Sequence, residues 1–125
     1  MYTDIYRNGS QVDFFVENLS SGQYSSFGKP ASGFSGTSAE LILERSETNC
    51  TYPPLAYPST TSFTDANVRV NGTYRTFGGW PHAAYVMKDD NGTELAHPGP
   101  FSNSGANITA YWTATGDVDP APCPT

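Results

Sequence analysis

Along this 125-residue chain apolar and polar positions alternate with a period of two, and Gly, Pro and Asn break the alternation every few residues. That is the signature of short β-strands joined by tight turns; no stretch holds the i, i+3, i+4 spacing of an amphipathic helix. The pattern predicts strands over Ile5–Tyr6, Val12–Leu19, Ser38–Arg45, Thr60–Val70, Ala83–Lys88 and Asn107–Thr115. Hairpin turns are predicted at Asn8-Gly9, Ser21-Gly22, Asn71-Gly72 and Asn91-Gly92, where the second residue tolerates a positive φ. Antiparallel strands of this kind must bury one face, so the expected fold is all-β, an antiparallel two-sheet β-sandwich over residues 1–116. Residues 117–125, with three prolines around Cys123, read as an irregular tail.

Two strands can be assigned face by face. In Ser38–Arg45, Ala39, Leu41 and Leu43 share one side and Glu40, Ile42 and Glu44 the other. The first set belongs in the core, which turns Glu40 toward the more polar surface. In Asn107–Thr115, Ile108, Ala110, Trp112 and Ala114 face inward and Thr109, Tyr111 and Thr113 outward. The run Ala84-Tyr85-Val86-Met87 has no polar interruption and reads as a strand buried on both sides.

Charge narrows the function classes. Six Lys+Arg against 12 Asp+Glu give a net charge of −6, which argues against a nucleic acid or an anionic membrane as partner, since these require a basic patch. No apolar run approaches the roughly 20 residues of a membrane helix. A chain so poor in basic groups gains little positive charge in acid, which suits an acidic environment. Six of the eight Asn head an N-x-Ser/Thr sequon: Asn8, Asn18, Asn49, Asn71, Asn91 and Asn107. With Ser and Thr at 27 of 125 residues, chance predicts about two. Secretion with N-glycosylation is one reading; hairpin chemistry accounts for the Asn-Gly pairs without any glycan. In an exported protein Cys50 and Cys123 are candidates for a disulfide, and closing about 70 residues would stabilise by about 4 kcal/mol. The first residues, Met1-Tyr2-Thr3-Asp4-Ile5, lack the basic start and apolar stretch of a signal peptide, so an upstream segment is expected.

One carboxylate in a strand is by itself a solvated surface group. Its neighbours single out Glu40. Gly36-Thr37-Ser38-Ala39-Glu40-Leu41-Ile42-Leu43-Glu44-Arg45 resembles the Ser-Ala-Glu-Trp-Ile-Val-Glu strand of the eqolisins, the glutamic peptidases. Phe15 to Gln23 is similar to that family's strand ending in Glu-Asn-Leu-Thr-Thr-Gly, and Leu55-Ala56 with Ser62-Phe63-Thr64-Asp65-Ala66 to its Leu-Ala-Asp-Phe-Gly and Phe-Thr-Asn-Ala stretch. Met87, Gly92, Leu95-Ala96 and Thr109 to Thr113 resemble its closing strands, so that the likeness runs in order over about residues 3 to 115. Leu41 stands where the family usually has Trp, and Tyr57-Pro58 replaces Asp-Phe-Gly.

The resemblance implies a jelly-roll-like sandwich lacking the family's amino-terminal strands, and an acid-acting endopeptidase with Glu40 as the catalytic acid/base. No cofactor or metal is implied. The family's second catalytic residue, a Gln, lies in strands that precede everything here, and neither Gln11 nor Gln23 sits in its motif. The implied partners are a protein or peptide substrate and an amino-terminal segment or second chain that supplies the Gln; the implied location is extracellular.

Other signals carry less. Asp89-Asp90-Asn91-Gly92-Thr93-Glu94 clusters oxygen ligands but lacks the length and terminal Glu of a calcium loop, and reads as a hairpin tip. His82 and His97 each adjoin a Pro in predicted loops and form no triad or metal pattern. Trp80 in Phe77-Gly78-Gly79-Trp80 is a loop aromatic of the type that stacks on sugars. The alternatives to an enzyme are therefore a non-catalytic secreted module that binds glycans or peptides, and a structural subunit that completes its sheet by association.

Overall fold

A computed structural model describes residues 1–33, 36–45, 47–57 and 60–121. It is all-β as predicted: eleven short strands in antiparallel sheets, with two single-turn 3-10 segments, Phe77–Gly79 and Asn103–Gly105, among the described residues. The chain divides into two compact units, Met1–Ala39 and Glu40–Thr125.

The first unit is a meander of β1 (Tyr2–Asn8), β2 (Gln11–Asn18) and β3 (Gln23–Pro30). Asn8 pairs with Gln11, which leaves Gly9 and Ser10 as the two-residue turn, with Gly9 at φ +61°. Asn18 pairs with Gln23 across a four-residue loop closed by the Gly22 amide donating to the Asn18 carbonyl at 2.8 Å. The apolar pattern foresaw β1 and β2 but not β3, whose Gln-Tyr-Ser-Ser-Phe-Gly-Lys-Pro sequence lacks a continuous apolar face. Its ladder with β2 and the preceding turn make it a strand despite full exposure.

The second unit contains β4 (Thr51–Tyr52), β5 (Thr60–Phe63), β6 (Asn67–Val70), β7 (Thr73–Thr76), β8 (Met87–Lys88), β9 (Glu94–Pro98), β10 (Ile108–Trp112) and β11 (Asp119–Pro120). A four-stranded sheet runs in the order β5-β10-β9-β8, and β6–β7 and β4–β11 form two-stranded ribbons. Asn71-Gly72 closes the β6–β7 hairpin with both φ positive, +48° and +82°, as a two-residue turn of the primed type requires. The core is Leu55, Leu95 and Ala96, with Leu43, Met87, Trp112 and Ala114 packed against them. Leu55 is fixed there by donating its amide to the Thr115 carbonyl at 2.7 Å. The shared face predicted on the last long strand is observed in its second half, where Trp112 and Ala114 pack on the core and Tyr111 and Thr113 are exposed; in the first half Ile108, Thr109 and Ala110 are all half-buried.

Several expectations are corrected. The single strand Thr60–Val70 is two, because Asp65 takes φ +53°, a conformation that Asp tolerates, and turns the chain between β5 and β6. Residues 83–86 form no strand, and Tyr85 is 84% exposed rather than buried on both sides; only Met87–Lys88 pair with β9. Residues 37–45 belong to no strand, and the predicted alternation of burial holds only from Leu41 onward: Leu41, Leu43 and Arg45 are half-buried and Ile42 and Glu44 exposed, whereas Ala39, expected in the core, is exposed like Glu40 beside it. Alternation records which side chains reach the core, whereas a strand also needs a hydrogen-bonded neighbour. Part of the expected irregular tail is ordered, since Asp119–Pro120 pair with Thr51–Tyr52 and the Ala121 amide donates to the Cys50 carbonyl at 2.8 Å.

Candidate active site

Glu40 is held by its successors in sequence. Leu43 packs on the Leu55–Leu95–Ala96 core; Ile42 and Glu44 on either side of it are exposed, and so are Ala39 and Glu40. The carboxyl is neither in the apolar interior nor in either ion pair found among the described residues, Arg45–Asp119 and His97–Glu94. A concavity of about 470 Å3 lies further along the segment. Ile42, Glu44 and Arg45 line one part of it and Tyr52, Met87, Lys88 and Asp119 another; Glu40 is not in its wall.

What anchors the segment is Arg45. Its Nη1 meets Asp119 Oδ2 at 2.6 Å, and both side chains are less than a tenth exposed. Nε donates to the Pro53 carbonyl at 2.7 Å, and Nη2 to the carbonyls of Tyr52 at 2.7 Å and Asp117 at 2.6 Å. The planar guanidinium thus ties three pieces of chain together: its own segment, β4 and the stretch leading into β11. A buried guanidinium is tolerated because every donor direction used here ends on an oxygen, one of them charged. Sequence reading missed this clasp. The two partners lie 74 positions apart, and the only hint was a basic residue in a chain that has six.

A second polar cluster also escaped it. His97 lies in β9, not in a loop, and its Nδ1 is 2.7 Å from Glu94 Oε1. Thr113 Oγ1 donates to the same carboxylate oxygen at 3.3 Å, and Tyr111 stacks on the imidazole at 5.6 Å between centroids. The irregular β8–β9 register, from Met87↔Ala96 to Lys88↔Glu94, marks the bulge beside Glu94. This is not a nucleophilic triad. A triad places the carboxylate and the hydroxyl on opposite ring nitrogens, whereas Thr113 Oγ1 approaches the same Nδ1, at 3.5 Å.

The remaining predicted sites fall as follows. Gln11 donates its amide to Asp13, and Gln23 opens β3. Asn8, Asn18, Asn49, Asn71 and Asn91 are exposed, while Asn107 is half-buried and accepts the Asp65 amide at 3.0 Å. Cys50 is disulfide-bonded; its expected partner, Cys123, lies outside the described residues. The Asp89–Glu94 stretch is a hairpin tip in which buried Asp89 accepts the Thr93 amide at 2.8 Å. Among the described residues no three ligating side chains group as a metal site. One face of the Trp80 ring is covered by the Arg75 guanidinium, 4.8 Å from its centroid, and its Nε1 donates to the Val68 carbonyl.

No family model matches the sequence. No curated protein matches it either. Among solved structures, the crystal structure of aspergilloglutamic peptidase from Aspergillus niger superposes with a TM-score of 0.73 at 22% sequence identity. The likeness covers 90% of this chain and 65% of that one, so the chain spans less than two thirds of its neighbour's length. At that identity the likeness establishes the fold, the antiparallel β-sandwich of a glutamic peptidase, and the all-β expectation drawn from the sequence is met.

Proposed function

We propose that this chain is the carboxyl-terminal, Glu-bearing part of an acid-acting glutamic endopeptidase, with Glu40 as its acid/base. The observation that carries this reading is Glu40, exposed to solvent in a segment whose alternate residues turn inward from Leu41 onward, within the fold of such a peptidase. In the reaction the Glu40 carboxylate takes a proton from a water whose oxygen attacks the scissile carbonyl carbon. The same carboxyl then returns the proton to the amine as the C–N bond breaks. The oxyanion requires an amide donor. Gln11 is committed to Asp13, so the donor comes from an amino-terminal segment or second chain. Losing such a donor lowers rates by about 100- to 1000-fold, and the chain alone is then nearly inert. The run of sequons and the low charge support an extracellular, acidic working environment.

The test is to mix the chain with the Gln-bearing amino-terminal part of an eqolisin and assay a protein substrate at about pH 4, near the ordinary Glu pKa. Glu40→Gln is expected to reduce hydrolysis by about 100-fold or more, and Glu44→Gln to leave it within a few-fold. Equal rates for wild type and Glu40→Gln end the proposal.

A further inference from the structure

The first unit has two unlike faces. Its register places Tyr2, Glu17 and Tyr24 in one cross-strand row, Asp4, Phe15 and Ser26 in the next, and Tyr6, Asp13 and Gly28 in a third, all on one side of the sheet. The other side carries Ile5, Phe14 and Phe27, with Phe14 stacked on Phe27 at 5.0 Å. The ionic side chains are sorted by sign. The carboxylates Asp4, Asp13 and Glu17 all belong to the first side, and the unit's cations on strands, Arg7 and Lys29, both belong to the second.

On the acidic side the rings make a row. Phe15 sits between Tyr2, edge-on at 6.0 Å, and Tyr24, stacked at 5.7 Å. Beside the row is a concavity of about 500 Å3 lined by Asp4, Tyr6, Asp13, Phe15, Ser26 and Gly28 and, between them along the strands, by Phe14 and Phe27. Gly28 is part of its lining, and a Cβ there would fall 2.1 Å from Gln11 Nε2, so a side chain would displace the Gln11 amide from Asp13. Tyr24 and Tyr6 are 70% and 51% exposed. The ring spacing of under 7 Å brings neighbouring aromatics against each other, which presents edges and π-faces to a small cation better than a flat platform to a sugar ring.

We propose that this face is a docking surface for a basic peptide segment, whose Lys or Arg side chain enters the Asp4–Asp13 concavity while its stem lies along the Phe15–Tyr24 rings. Three carboxylates with no cation on their own face supply the charge complementarity, and the rings add cation–π attraction. Asp13 is prepared for this role: the Gln11 amide, with help from Asn8 and Tyr6, holds its carboxyl below the ordinary Asp value. It therefore stays charged in more acidic solution than a free Asp. The surface lies wholly within residues 1–39, so it stands or falls separately from the peptidase reading.

The experiment is an NMR titration of the full-length, 15N-labelled chain with the peptide Gly-Arg-Gly-Arg-Gly, with Gly-Glu-Gly-Glu-Gly and cellotetraose as parallel arms. Only the basic peptide is expected to move the amides of Asp4, Asp13, Phe15 and Tyr24. The affinity should weaken on raising the salt and fall about fivefold in Asp4→Asn and in Tyr24→Ala. Tyr24 is too exposed for its loss to unfold the sheet, so that variant keeps the test valid if Asp4→Asn folds poorly. The proposal is overturned by an equal response to the acidic peptide, by a response to the sugar alone, or by shifts confined to Ile5, Arg7 and Lys29 on the other face. It is also overturned if millimolar basic peptide produces no shift, or if sedimentation shows that a second copy of the chain already covers this face.

Discussion

Residues 1–39 and residues from 40 onward are both built of antiparallel strands, yet they obtain their order from opposite sources. The first unit has strands of seven and eight residues in unbroken register, but of its strand residues only Val12 is buried. The second has strands of two to five residues and a shifted register, yet it contains Leu95, fully buried, and the Arg45–Asp119 clasp. A regular ladder and a hydrophobic core are therefore separable here. Backbone hydrogen bonds exchange one set of partners for another and net only about 1 kcal/mol each, whereas burying a Leu is worth about 1.5–3 kcal/mol. Sensitivity to side-chain truncation should accordingly concentrate in the second unit. Both tryptophans, Trp80 and Trp112, lie there, so indole fluorescence follows that unit directly.

The largest effect is expected at the clasp. Arg45→Ala leaves the Asp119 carboxylate buried and without its ion-pair partner, at a cost of about 3–5 kcal/mol, read as a lower urea midpoint by Trp fluorescence. An unchanged midpoint would remove the clasp from the comparison. Next is Leu95→Ala, at 0% exposure, with an expected loss of about 2–5 kcal/mol. Its counterpart in the first unit, Phe27→Ala, removes a ring that is half exposed and should cost only about 1 kcal/mol. Comparable losses for the two, measured by thermal melting, would refute the contrast.

Gly72→Ala comes third. Nothing lies within 4 Å of the added Cβ, so the cost is the positive φ alone, about 1 kcal/mol. The smallest effect is at Asp13, whose folded pKa is held below the ordinary Asp value of 3.8 by the Gln11 amide. A depressed folded pKa stabilises above the unfolded pKa, and that contribution is lost as the pH falls through the folded value. The melting temperature of Asp13→Asn should thus sit slightly below wild type at neutral pH, and the gap should close below pH 3.8. A gap that widens in acid would reverse the sign assigned to this carboxyl.

Much of the local structure was legible because it depends on neighbouring residues. Asn71-Gly72 specifies its turn through the φ values that only such residues adopt readily, and Tyr111 to Ala114 specify an inward and an outward face by parity. Glu40 was legible as a solvent-facing carboxyl, although parity misplaced Ala39 beside it. β3 was not legible, because its sequence has no continuous apolar face and its partner strand makes it a strand. Nor were β4 and β11, two residues each, which exist because Arg45 and the Ala121 amide bring distant segments together.

By itself the sequence determined an all-β chain, its tight turns, the side of the segment on which Glu40 lies, and an acidic charge balance. These follow from φ preferences, from the two-residue repeat of an extended chain, and from composition. Only the tertiary structure decided that residues 37–45 lack a ladder, that Arg45 finds Asp119 across 74 positions, and that every carboxylate of the first sheet's strands falls on one face. Those outcomes depend on which segments meet in space and in what register, and a shift of one residue would have sent each side chain to the other face.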